Sequence, residues 1–126
     1  MLFDTDILIW IQRGNAKAAA LVDAHRERYL SIQSCMELFQ GAKNKSQQKV
    51  VRTYLTDLGF VVLPLSQNIG HRALIYVEEY TLSSGLYAGD AIIAATAIEN
   101  NIALCSGNEK HFKAIKDLDL RVFRPR

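Results

Sequence analysis

Three acids stand in apolar surroundings, where a carboxylate is costly to keep: Asp4 in "LFDTDILIW", Glu37 in "SCMELFQGA" and Asp90 in "AGDAIIAATA". Burying an unpaired carboxylate costs several kcal/mol, about the effective penalty for one ion. Each acid also has a local structural reading. Ser34 and Glu37 have the spacing of a capping box, as do Ser106 and Glu109. Asp90 fits the cap of its own helix, and Asp4 or Thr5 the cap of the residues that follow. Taken jointly they point elsewhere. Three carboxylates within ~4 Å repel by a few kcal/mol per pair at an effective dielectric near 20. One must take a proton, or a cation must sit between them. An all-oxygen set without His or Cys selects a hard ion, Mg²⁺ or Mn²⁺. Held with open positions, such an ion activates water and steadies charge on phosphorus oxygens, which is the chemistry of phosphodiester hydrolysis.

The elements that must gather these acids follow from periodicity. A strand is expected at 1–3. Residues 7–13 either continue it or form a short helix stopped by Gly14, since so short an apolar run fits both. Helices are predicted at 16–28, 34–42, 49–58, 69–82, 90–99 and 109–115, and strands at 29–33, 60–65, 102–105 and 120–123. The helix over 90–99 is apolar on several faces and should be central and buried. Strands separated by helices imply a parallel sheet of four or five strands covered on both sides, an α/β/α sandwich. Ligands of such sheets bind outside the carboxyl ends of the strands. Asp4, Ser34 to Glu37 and Ser106 to Asn108 occupy those junctions, and Asp90 opens the buried helix.

Composition narrows the classes. The 126 residues, taken whole (1–126), fit one domain, with 49% hydrophobic and 22% charged residues and only two prolines. A net charge of +2 is too small to imply nucleic acid by itself. Cys35 and Cys105 lie far apart with no ligand spacing, so zinc and a disulfide framework are not expected and a reducing cytoplasm is. The N-terminus does not read as a signal peptide, and no apolar run approaches a membrane span.

Order, spacing and length of "LFDTDILIW", "SCMELFQGA", "AGDAIIAATA" and "LCSGNEKHF" together resemble the PIN-domain ribonucleases, and within them the VapC-type toxins of toxin–antitoxin pairs. The resemblance implies a PIN-like fold and an Mg²⁺- or Mn²⁺-dependent endoribonuclease that inhibits translation and growth. It matches Asp4, Glu37 and Asp90 to the family's metal-holding acids. Many members carry a fourth acid where this chain has Asn108, which can hold water or substrate but brings no negative charge. A single tightly held ion is therefore expected. The resemblance also implies a homodimer, a small antitoxin covering the acidic pocket, and an RNA substrate such as tRNA or mRNA. Leu38-Phe39 and Ile75-Tyr76 are candidate contact faces.

Other residues are read more locally. Asp6 either caps the helix after it, the role its residue type favours, or leans toward the metal. Thr5 and Ser106 are either turn residues or contacts of metal or phosphate. His111 is expected to pack behind the site or touch phosphate, and Arg13 and Lys110 to meet phosphates. Lys43, Lys45, Lys49 and Arg52 form one basic group, and residues from Lys110 to Arg126 a second. His25 is expected to be half-buried and His71 at the surface. Trp10, Phe39, Tyr76 and Tyr87 are expected in core or interface. Two alternatives remain open here. One is a haloacid-dehalogenase-like phosphatase, in which the "DTD" aspartate attacks phosphate. The other is a degenerate PIN-like domain that binds RNA or a partner without cutting.

Overall fold

The computed structural model describes residues 1–126 as one five-stranded, wholly parallel sheet flanked by seven helices. In chain order these are β1 (Leu2–Phe3), α1 (Thr5–Gln12), α2 (Ala16–Asp23), β2 (Tyr29–Ser31), α3 (Ile32–Gly41), α4 (Lys45–Asp57), β3 (Val61–Leu63), α5 (Gln67–Ser84), α6 (Ala88–Glu99), β4 (Leu104–Ser106), α7 (Glu109–Phe112) and β5 (Leu120–Val122). Strand order is β3-β2-β1-β4-β5. The first strand is therefore the middle one, with Leu2 in register with both Tyr29 and Leu104.

Successive residues of a strand point to opposite faces, and this sorts the core into two halves. Leu2 and Leu104 join the side covered by α5, α6 and α7. Phe3, Leu30 and Cys105 join the side covered by α1 to α4. The α6 prediction holds, for Ala91, Ile93, Ala94, Ala95, Thr96 and Ala97 are all buried. Small side chains there let α5 and α6 pack along their length. The Thr96 hydroxyl, buried with them, donates to Ile92 O at 2.7 Å.

Several boundaries differ from the periodicity reading. The 7–13 ambiguity resolves as helix, and α1 begins directly after Asp4. The helix expected over 16–28 ends at Asp23, because Arg28 turns back to donate to His25 O and Leu58 O, both at 2.8 Å. Helix α4 starts at Lys45 rather than 49, since Asn44 accepts the Gln47 amide and caps it. The last helix is one turn, Glu109–Phe112, instead of reaching 115. No helix is long and apolar enough to cross a membrane.

Phe3 is fully buried on the central strand and meets His25 and Phe60 edge-on at 5.7 and 5.9 Å. Phe3→Ala is expected to lower stability by about 3–5 kcal/mol in urea titration. Leu82→Ala, at a fully exposed position, should leave the midpoint unchanged.

Candidate metal centre

Because β1 is central, the residue after it lies at the middle of the sheet's carboxyl edge. That residue is Asp4. It caps α1, with Oδ1 accepting the Thr5 amide at 2.8 Å, while Oδ2 accepts the Ser106 hydroxyl proton at 2.6 Å. Ser106 ends the neighbouring strand β4, and its Oγ in turn accepts the Asn108 amide at 2.9 Å. Asp4 is only 6% exposed, and burial is the main reason its carboxyl is pushed up to about 7. The Asp6 charge adds to that rise and Asp90 adds less, whereas the Ser106 and Thr5 bonds oppose it.

Glu37 arrives from the other neighbour, β2, on helix α3. The Ser34-to-Glu37 capping box is not what forms. Ser31 caps α3 by accepting the Ser34 amide at 3.0 Å, which leaves Glu37 in the body of the helix. Its Oε1 contacts the Thr5 hydroxyl, which also lies 2.8 Å from Ser34 Oγ. A carboxylate can only accept, so the single Thr5 proton goes to Glu37 and Ser34 supplies the proton on the other contact. Thr5 thus ties Glu37 to the residue beside Asp4.

Asp90 sits in the first turn of α6. Its Oδ2 accepts the Tyr87 amide at 3.3 Å and lies 3.0 Å from His111 Nδ1. Gly89 allows this helix to approach: a Cβ there would stand 3.0 Å from Gln33 Nε2 and 3.1 Å from Glu37 Oε2. Asn108 lies 2.7 Å from the same His111 nitrogen. That nitrogen carries either a proton or a lone pair. With the proton it donates to Asp90, and Asn108 turns its amide oxygen to the ring. Without it, Asn108 donates to the ring and Asp90 loses a donor.

Asp6 departs from expectation. It does not cap α1, a position Asp4 takes. Its Oδ2 accepts the Gly107 amide at 2.9 Å, joining α1 to the loop after β4. Its Oδ1 is buried without a hydrogen-bond partner, although the Ile7 and Asp6 amides lie near enough to favour its charge. Burial raises its pKa, opposed first by the Gly107 bond. Residue preference favours the cap of its two sequence readings. Tyr87 is expected in core or interface. It is 71% exposed beside the His111 ring, not buried, while Tyr76 is buried and Trp10 and Phe39 are half-buried as expected.

The acids gather at one edge, but each is held by its own bonds, and no three His, Cys, Asp or Glu side chains close into a ready-made cation cage. The expected convergence to ~4 Å is thus not present in this arrangement. The donor chemistry nevertheless fits a hard divalent ion. The carboxylates are oxygen donors, one of their oxygens is buried and unpartnered, and none of them pairs with a lysine or arginine. Among the other candidates, Lys110 and Arg13 are exposed, with the Arg13 guanidinium over the Trp10 ring at 5.8 Å. Of the second basic group, Arg121 pairs with Asp119 and Arg124 with Glu109. Arg13, Glu37 and Leu38 also line a groove of about 840 Å³ between α1, α3 and α4. The other expected contact face is half right, since Ile75 is exposed and Tyr76 is not.

The PIN domain family model matches residues 1–118. A toxin–antitoxin complex from Klebsiella pneumoniae contains a chain 32% identical to this one, with a TM-score of 0.80, covering 99% of this chain and 97% of that one. FitAcB from Neisseria gonorrhoeae matches at 24% identity and TM-score 0.75 over 98% and 96% of the two chains. VapBC2 from Rickettsia felis, bound to a DNA fragment from its promoter, matches at 22% and 0.80 over 98% of each. These last two show a shared fold. No curated protein matches the chain.

The raised carboxyl of Asp4 makes stability depend on pH. Between about pH 4 and 7 the folded chain retains a proton that the unfolded chain has released, so this contribution is complete at low pH and fades as pH rises through about 7. In EDTA, melting temperature should fall from pH 4.5 to 7.5, and Asp4→Asn should flatten that decline. A wild-type and mutant pair with parallel pH profiles would show that Asp4 ionises normally.

Proposed function

The chain belongs to the PIN-domain family, and from that membership we propose that it is a metal-dependent endoribonuclease acting as the toxin of a toxin–antitoxin module in the cytoplasm. The observation that carries the reading is the set of acids at the carboxyl edge of the central strands without a lysine or arginine partner. Asp4, Glu37 and Asp90 would hold the ion. When bound, Mg²⁺ or Mn²⁺ supplies Lewis-acid stabilisation of a phosphate and a water of lowered pKa.

The chain's own residues then have distinct tasks. Ser106 and the Thr5 amide fix the two oxygens of Asp4 without neutralising them. The Thr5 hydroxyl orients Glu37. Asn108 holds a water or substrate oxygen, and His111 orients Asp90. Exposed Arg13 and Lys110 meet the flanking phosphates of an RNA strand, which makes binding weaken with salt. Of the candidate substrates, tRNA and mRNA are separated by mapping new RNA ends in cells.

The groove between α1, α3 and α4 supports an antitoxin partner. Ile9, Leu38, Val50, Val51 and Tyr54 give it apolar walls, and Glu37 connects it to the acidic edge. An amphipathic helix laid in such a groove would place one end beside the acids. The exposed Leu74 and Ile75 of α5 offer an apolar face for a homodimer.

A second reading rests on Asn108, whose neutral side chain suits a domain that binds RNA without cutting. Purified protein should cleave a mixed RNA pool in Mg²⁺ and stop in EDTA. Asp4→Asn and Asp90→Asn should each lower the rate at least about a hundredfold with unchanged circular dichroism. A wild-type protein that binds RNA but is inert with both Mg²⁺ and Mn²⁺ would establish the non-catalytic reading instead. Val50→Glu should weaken antitoxin binding in calorimetry while leaving cleavage intact.

A further inference from the structure

The loop after β4 presents a neutral residue, Asn108, beside the acids, yet a carboxylate reaches the same loop from another element. Asp6, in the first turn of α1, accepts the amide of Gly107 at 2.9 Å across 101 residues of sequence. We propose that Asp6 is the fourth carboxylate of this centre, supplying from α1 the negative charge that Asn108 does not supply from the loop. The proposal rests on the metal-dependent reading above.

Four observations lead there. First, Asp6 is not needed as a cap, since Asp4 already accepts the Thr5 amide. Second, holding the Gly107 amide requires one neutral acceptor, which asparagine would provide without burying a charge. Aspartate leaves Oδ1 buried and unpartnered, a penalty of roughly 1–3 kcal/mol or more for a charged group. A carboxylate oxygen left buried with no hydrogen-bond partner calls for a ligand. Third, the approach is built on both sides. A Cβ on residue 107 would stand 2.9 Å from Asp6 Oδ2 and 3.3 Å from Phe123 O, so glycine is what admits the carboxylate. Fourth, no lysine or arginine pairs with Asp6, so its charge adds to that of Asp4 and Asp90 rather than being locally cancelled.

The chemistry fits. A carboxylate with one oxygen anchored by a backbone amide and the other free is oriented to coordinate a hard cation, directly or through water.

The test is Mn²⁺ affinity, measured by calorimetry on wild type, Asp6→Asn, Asp4→Asn and the double variant Asp6→Asn/Asn108→Asp, with melting temperature confirming the fold. The amide oxygen introduced by Asp6→Asn still accepts the Gly107 N–H, so the loop keeps its anchor. Asp6→Asn is expected to weaken Mn²⁺ binding at least about tenfold, and Asn108→Asp in that background to recover most of the loss. Asp4→Asn should abolish binding. Wild-type affinity in Asp6→Asn, or failure of Asn108→Asp to restore binding, overturns the proposal while leaving the metal-dependent reading intact. A wild-type protein that binds no Mn²⁺ overturns both.

Discussion

The constraint behind this structure is negative charge gathered without a lysine or arginine partner. Asp6 and Asp90 raise the electrostatic cost of a charge on Asp4, Asp90 raises that on Asp6, and Glu37 is tied to the same edge through Thr5. Like charges gathered at a half-buried edge repel. The rest of the fold has to hold them there. A central parallel strand aims Asp4 at the edge, its two neighbouring strands bring Ser106 and helix α3, and α6 delivers Asp90 across a glycine contact.

The means of restraint are informative. Neutral donors do nearly all of it: hydroxyls of Thr5, Ser34 and Ser106, and amides of Thr5, Tyr87 and Gly107. Such groups orient a carboxylate while leaving most of its charge in place. Lysine or arginine would stabilise the apo fold more strongly but would compete with a cation for the same oxygens. His111 is the exception, and its contribution depends on one ring proton. The site therefore keeps a local electrostatic penalty that the two hydrophobic core halves offset.

Much of this was readable from residue order. Alternating β-rich and helical segments indicated a parallel sheet, and the apolar faces of 90–99 indicated the buried helix. Asp4, Glu37 and Asp90 stood out because a carboxylate inside an apolar run needs a reason. The misreadings share one cause. Capping preference favoured a cap for Asp6 and offered a Ser34–Glu37 box as the local alternative, because local spacing is all that a single sequence displays. The long-range partners that displaced those assignments, Gly107 for Asp6 and Thr5 for Glu37, lie 101 and 32 residues away. Tyr87, read as core or interface by residue type, stands exposed at the start of α6.

The amino-acid order by itself therefore determined the class of fold, the oxygen-only donor character of its acids and the junctions where acids would fall, since periodicity and residue type are properties of short segments. Tertiary structure alone decided which junctions become neighbours, which oxygens are spoken for and which is left bare. Those depend on strand order and on contacts between segments distant in the chain, and no local pattern encodes the distance between two side chains that meet only after the sheet has formed.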